Sequence, residues 1–180
     1  MKLLWTACIG IALFIVPATA HAGNVPEPAG YRMDNYRAAV PSSLQGAGVI
    51  LTDEAEHLWK QKEALFLDVM PRLPRPKDLP EGTIWRDKPR HNIPGSVWLA
   101  NVGYGALTTE METYFRGGLE AKTGGDLSRK IVFYCMTDCW MSWNAAKRAL
   151  SWGYANVLWY PAGADGWEAG GLPLAEAKPY

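Results

Sequence analysis

The chain predicts an α/β fold whose core is a mainly parallel, five-stranded sheet with helices on both faces. Short apolar runs alternate with helix-period segments from Val49 to Tyr160. Several of those runs are apolar at every position, as strands covered on both sides must be. The intervening segments have the length and spacing of crossover helices rather than hairpin turns.

The elements follow in order. Val49-Ile50-Leu51 reads as a short buried strand. A helix follows, capped by Thr52 or Asp53, with Asp53 and Glu56 at capping-box spacing and Ala55, Leu58, Trp59 and Lys62 at helical intervals. Ala64 to Val69 is the second strand. Residues 70–92 carry Pro71, Pro74, Pro76, Pro80 and Pro89, which predicts an irregular loop. Ser96 to Leu99 is a third strand. Thr109 caps the next helix with Glu112 in the box position, and Met111, Tyr114, Phe115 and Leu119 form one face. Ile131 to Tyr134 is the fourth strand, Ser142 to Trp152 a helix closed by Gly153, and Asn156 to Tyr160 the fifth strand.

Residues 1–22 have the pattern of a signal peptide: Lys2, an uncharged run from Leu3 to Val16, and the Ala20-His21-Ala22 cleavage signature. The apolar run is shorter than the ~20 residues a membrane span needs. The expected mature chain therefore begins at Gly23, is periplasmic, and has no span. Residues 23–48, rich in proline, glycine and small side chains, are expected to form an arm pinned by Tyr31 and Tyr36. Residues 49–174 form the domain and residues 175–180 a tail. Eighteen basic and 18 acidic residues balance, so nothing points to nucleic acid or anionic lipid.

Loss of Cys8 with the leader leaves Cys135 and Cys139 as the only thiols. A disulfide closing so small a loop removes little unfolded-state entropy, so the pair reads as reactive rather than structural. Cys135 follows a strand and Cys139 precedes a helix, a junction where converging amides and the helix dipole favour a thiolate. Met136, Thr137 and Asp138 form the loop between them; Trp140, Met141 and Ser142 follow, and Trp143 lies one turn on. An inward-facing Asp138 would raise the thiol's pKa. Asp68 ends a strand on the same side and is expected to anchor a loop. Arg72 and Arg75 suggest a cationic lid over the cysteines. Alternatively, the 70–92 loop is a solvated connection.

Four segments carry a resemblance to the rhodanese family. They are Leu67-Asp68-Val69, His91-Asn92-Ile93-Pro94-Gly95-Ser96, Ile131 to Cys135, and the closing series Gly153 to Val157, Gly163, Gly166-Trp167-Glu168 and Gly171-Leu172-Pro173. The resemblance implies a sulfurtransferase-type domain over residues 49–174, with Cys135 as persulfide carrier and Asp68 and His91 in support. Met70 stands where the family's Asp-Val-Arg places arginine. The cysteine loop is one residue longer than the usual six, yet Met141 occupies the position at which a related phosphatase needs arginine, which argues against phosphatase activity.

The leader, Gly30-Tyr31-Arg32-Met33 and the run from Tyr134 to Ala149 further resemble the rhodanese-like CXXXCW-motif proteins associated with PQQ-dependent catabolism. That implies a periplasmic accessory working beside a PQQ-dependent dehydrogenase or a c-type cytochrome.

Three chemistries remain open. Cys135 accepts sulfane sulfur from a small sulfur-containing or thiol substrate; the pair exchanges with disulfides; or Cys135 and Cys139, with Met136 or Met141, bind Cu(I). The first two require no cofactor. A non-catalytic docking module is the alternative from another class.

Overall fold

The computed structural model describes residues 25–86 and 88–180; the expected signal segment, with Cys8, and Asp87 lie outside the described residues. Five parallel strands form the central sheet: β1 (Gly48–Val49), β2 (Leu65–Asp68), β4 (Val97–Trp98), β5 (Ile131–Tyr134) and β6 (Val157–Tyr160). Their order across the sheet is β1-β6-β5-β2-β4, which places β5 at the centre. Registers such as Asp68↔Tyr134 and Tyr134↔Tyr160 bring the carboxyl ends of β2, β5 and β6 to one level.

The side-chain alternation of β5 divides the core in two. Ile131, Phe133 and Cys135 face α2 (Thr109–Thr123) and α3 (Trp140–Ser151), packing with Phe115, Leu119 and Trp143. Val132 and Tyr134 face α1 (Thr52–Gln61) and α4 (Gly163–Ala169), packing with Ala55, Leu58 and Trp167. Period-two alternation thus sets the side on which the cysteine appears.

Helix starts differ from the expected ones for identifiable reasons. Helix α1 is capped at Leu51 without a side-chain bond, because the Thr52 hydroxyl meets Tyr160 Oη at 2.9 Å and Glu56 pairs with Lys60. The expected Asp53–Glu56 box does not form. Thr108, rather than Thr109, caps α2 by accepting from the Met111 amide, while Glu112 pairs with Arg116. Helix α3 starts at Trp140, two residues before the expected Ser142, since the Trp140 amide donates to Tyr36 O at 2.9 Å. Its partner lies about a hundred residues away, beyond the reach of a local capping rule.

A second, two-stranded antiparallel sheet joins β3 (Arg90–Asn92) to β7 (Ala175–Ala177). Arg90–Asn92 was expected in the irregular loop and Ala175–Ala177 in the tail, and pairing across that distance leaves no periodic signal. The Tyr180 amide then donates to Trp98 O at 2.9 Å, so the last residues also lie along β4.

The N-terminal arm lies against α3. Asn144 accepts from the Arg32 amide and donates to the Arg32 and Gly103 carbonyls, each at 2.9 Å. The indoles of Trp140 and Trp143 donate to Ala39 O and Ser43 O. Tyr36 stacks edge-on against Tyr104, and the Arg148 guanidinium lies over Tyr31. That guanidinium is buried and donates to the carbonyls of Val102, Tyr104 and Gly105, which fixes the loop beneath the arm. Among the described residues no helix is long and apolar enough to cross a membrane.

Candidate active site

The cysteine loop begins where β5 leaves the sheet and ends as the cap of α3. Its outer edge is tied to the start of α4. The Ala164 amide donates to Cys135 O at 3.1 Å, Thr137 Oγ1 to Ala162 O at 2.8 Å, and the Thr137 amide to Asp165 at 3.2 Å. Gly163 (φ 58°) is required here twice over, because a Cβ at that point would stand 2.6 Å from Met136 Cα. Asp138 adopts the left-handed conformation at φ 53° and is exposed. It therefore faces outward, and the carboxylate that acts on the Cys135 thiol is Asp68.

The two thiols are in contact, with Cys135 Sγ 2.6 Å from Cys139 Sγ. Cys135 is 0% exposed and Cys139 3%. Burial pushes the Cys135 thiol well above its ordinary value, and the hydrogen bond to Cys139 and the nearby Asp68 carboxylate add to the effect. Cys139 moves the opposite way. The bond from Cys135 holds it below its ordinary value against burial, aided by the Met141 and Met136 amides and by Arg37. Cys139 makes no regular capping hydrogen bond, but it sits at the α3 N-terminus, where anions are favoured. The two thiols therefore titrate as one coupled pair, with burial working against a thiolate at Cys135. This corrects the expectation that Cys135 is the low-pKa thiolate: the strand end that presents it also removes it from water.

Asp68 closes the site from the next strand. Its carboxylate accepts from Arg90 Nε at 2.7 Å and from the Met70 amide at 2.9 Å. Arg90 Nη2 also donates to Cys135 O at 3.1 Å. Burial pushes the Asp68 carboxyl above its usual range, and Arg90 opposes this without cancelling it. Burial works against the Arg90 guanidinium, but the Asp68 carboxylate, with Tyr134 and Cys135, raises it on balance. A guanidinium is thus supplied to Asp68 from β3, while position 70 places a thioether against the cysteines: Met70 Sδ lies 3.5 Å from Cys135 Sγ.

Of the other anticipated residues, Met136 and Thr137 shape the loop, and Met141 is buried against the core. Ser142 Oγ donates to Cys139 O and accepts from the Trp159 indole. Trp140 and Trp143 are buried and meet edge-to-face with centroids 5.4 Å apart, holding the arm; Trp140 also walls a cavity of about 380 Å³ that it shares with arm residues Pro28, Tyr31 and Arg32. His91 is exposed on β3, opposite Glu176, and borders a cavity of about 540 Å³ with Arg90 and Asp165.

Arg72 and Arg75 do not cover the cysteines. They line a cavity of about 750 Å³ with Trp85, Asn101 and Tyr104, drawn there by the bond from the Arg72 amide to Asn101 Oδ1. Arg90, Arg37 and Met70 are the site residues that sequence reasoning passed over. Only the adjacency of Arg90 to the His91–Ser96 segment could have marked it.

Residues 51–170 match the Rhodanese-like domain family. The chain belongs to that family. Similar solved structures include EanB bound to hercynine, with 22% identity, a TM-score of 0.49, and coverage of 73% of this chain and 32% of that one. Thiosulfate sulfurtransferase from Pseudomonas aeruginosa shares 18% identity at a TM-score of 0.47, covering 74% and 21%. A human single-domain sulfurtransferase shares 20% at a TM-score of 0.40, covering 68% and 96%. The chain thus spans about a third of the EanB chain. No curated protein matches it.

Proposed function

We propose that this rhodanese-like protein works by reversible dithiol–disulfide chemistry at Cys135 and Cys139, with sulfane sulfur or a disulfide as the oxidised reactant. The contact between the two sulfurs carries this reading. The Cys139 thiolate attacks the donor's sulfane sulfur, the donor's S–S bond breaks with sulfite or a shortened polysulfide leaving with its electron pair, and a Cys139 persulfide forms beside the Cys135 thiol. Cys135 then attacks Cys139 Sγ, the new disulfide forms, and the outer sulfur leaves with the electron pair as hydrosulfide. The thiol proton goes to solvent or to the leaving sulfur, and a reductant restores the dithiol. The persulfide is thus assigned to Cys139, and Cys135 is its resolving partner. Asp68 and Arg90 fix the strand end that presents Cys135.

The proposed setting is an exported space, with a PQQ-dependent dehydrogenase or a c-type cytochrome as partner. Its support is the leader pattern of residues 1–22 and the likeness of the Tyr134–Ala149 run to the CXXXCW-motif proteins. The second reading is a non-catalytic docking module, favoured by the near-complete burial of both sulfurs beneath the arm.

One experiment separates the two. Reduced protein is mixed with thiosulfate or polysulfide, then assayed for hydrosulfide and by intact-mass spectrometry. The expected outcome is hydrosulfide release, with a loss of two hydrogens in wild type. Cys135→Ser should hold an added sulfur, and Cys139→Ser should do neither. An unchanged mass in wild type with both donors and with a small disulfide overturns the proposal and leaves docking.

A further inference from the structure

We propose that Met70, Cys135 and Cys139 form a three-sulfur site for one soft monovalent metal ion, with Cu(I) as its natural occupant. The inference goes beyond thiol exchange and rests on a residue that the exchange reaction does not use. Three sulfurs from three elements are contiguous: Met70 Sδ just past β2, Cys135 Sγ just past β5 and Cys139 Sγ at the start of α3, with separations of 3.5 Å and 2.6 Å. Met136 and Met141, the thioethers suggested by sequence proximity, are replaced by one 65 residues away from Cys135.

Met70 is held for this purpose from both sides of its backbone. Its amide donates to Asp68 at 2.9 Å, and its carbonyl accepts from the Trp98 indole at 2.7 Å. It is half-buried, whereas both cysteines are covered, so the thioether forms the outward side of the cluster.

The donor set selects the ion. Thiolates and a thioether suit Cu(I), while zinc and harder ions require nitrogen, oxygen or a fourth thiolate. Among the described residues no group of three His, Cys, Asp or Glu could hold a metal. To admit the ion the two sulfurs must part from their 2.6 Å contact by side-chain rotation; the pair then releases to solvent whatever protons it still holds, and no electron moves. Two thiolates around one monovalent cation leave a net negative charge. Arg90, bonded to the Cys135 carbonyl, and Arg37, whose backbone bridges Cys139, are the cations beside it. Asp68 opposes them in part.

The test is an anaerobic titration of reduced protein with Cu(I) against the chromophoric chelator bathocuproine disulfonate. Sulfur neighbours of bound copper are counted by X-ray absorption. Wild type is expected to hold one Cu(I) with three sulfur neighbours. Met70→Leu, close in volume, should bind at least tenfold more weakly with two neighbours, and Cys139→Ser should lose competitive binding. Zinc at equal concentration should not displace the copper. No retention by wild type, or unchanged affinity in Met70→Leu, overturns the site. A wild-type count of two sulfurs does so as well, without depending on any variant's folding. Hydrosulfide release is measured without metal, so failure of either proposal leaves the other standing.

Discussion

Two proline-rich segments precede the cysteine loop in sequence, and the structure treats them differently. The arm, residues 25–47, is stapled to α3 by Asn144, Trp140 and Trp143, and its backbone pairs with Cys139 through Arg37. The loop from Met70 to Pro89 leaves Leu73 and Ile84 largely exposed, with Arg72 held by Asn101 at one end and Arg90 by Asp68 just past the other. Composition predicted irregular backbone for both. What separates them is whether the cysteine helix sends polar side chains to meet the segment's carbonyls, since a backbone group covered without a partner is costly. Apart from Met70 at its first position, the cationic loop stays away from the cysteines, whereas the arm pairs directly with Cys139.

The largest way to break this contrast is Trp140→Ala. It removes a buried indole, its bond to Ala39 and its stacking on Trp143, and is expected to cost about 4 kcal/mol in denaturant unfolding. Alkylation of Cys139 should accelerate in the same protein, and an unchanged rate would show that the arm is no cover.

Asp68→Asn attacks the inner anchorage of the loop. Arg90 would keep its buried position without its carboxylate, for an expected loss of about 3 kcal/mol. Asn144→Ala frees the arm at one point and is expected to cost about 1–2 kcal/mol through the carbonyl of Gly103 left without its donor. It too should raise Cys139 reactivity. The smallest effect belongs to the loop: replacing residues 74–84 by a short Gly-Ser link should change stability by less than about 0.5 kcal/mol and leave thiol reactivity untouched.

Reactivity itself sharpens the contrast between the two thiols. A thiolate stabilised at Cys139 forms at lower pH, so its alkylation should rise with a midpoint below that of an ordinary free thiol. Cys135→Ala removes the donor responsible, and the midpoint should move upward.

The inner strands were legible because each is a short apolar run whose covering on both faces leaves no polar alternation, as Phe66-Leu67 and Ile131 to Tyr134 show. The junction that carries the cysteines was legible for the same reason. The edge was not legible: the strand read as buried over Val49-Ile50-Leu51 is an exposed Gly48–Val49, of the expected three only Ile50 is buried, and Leu51 is the exposed cap of α1. Arg90 was not, because β3 exists only through β7, more than eighty residues later. The start of α3 was missed because Tyr36 supplies its partner. The assignment of the thiolate was reversed because burial at a strand end outweighs its favourable dipole, and burial is a property of the whole fold. Met70 read as an arginine lost; only three-dimensional placement shows it as a sulfur gained.

The position of β5 at the middle of the sheet has a kinetic consequence. Cys135 hangs from the strand with neighbours on both sides, where amide protons exchange only upon global opening, while the strap above it can detach by local fluctuation. Reagents should then meet the sulfurs at a frequency set by the strap's own breathing. At high reagent concentration the observed rate would level off at a ceiling that is a property of residues 25–47 and not of the attacking molecule.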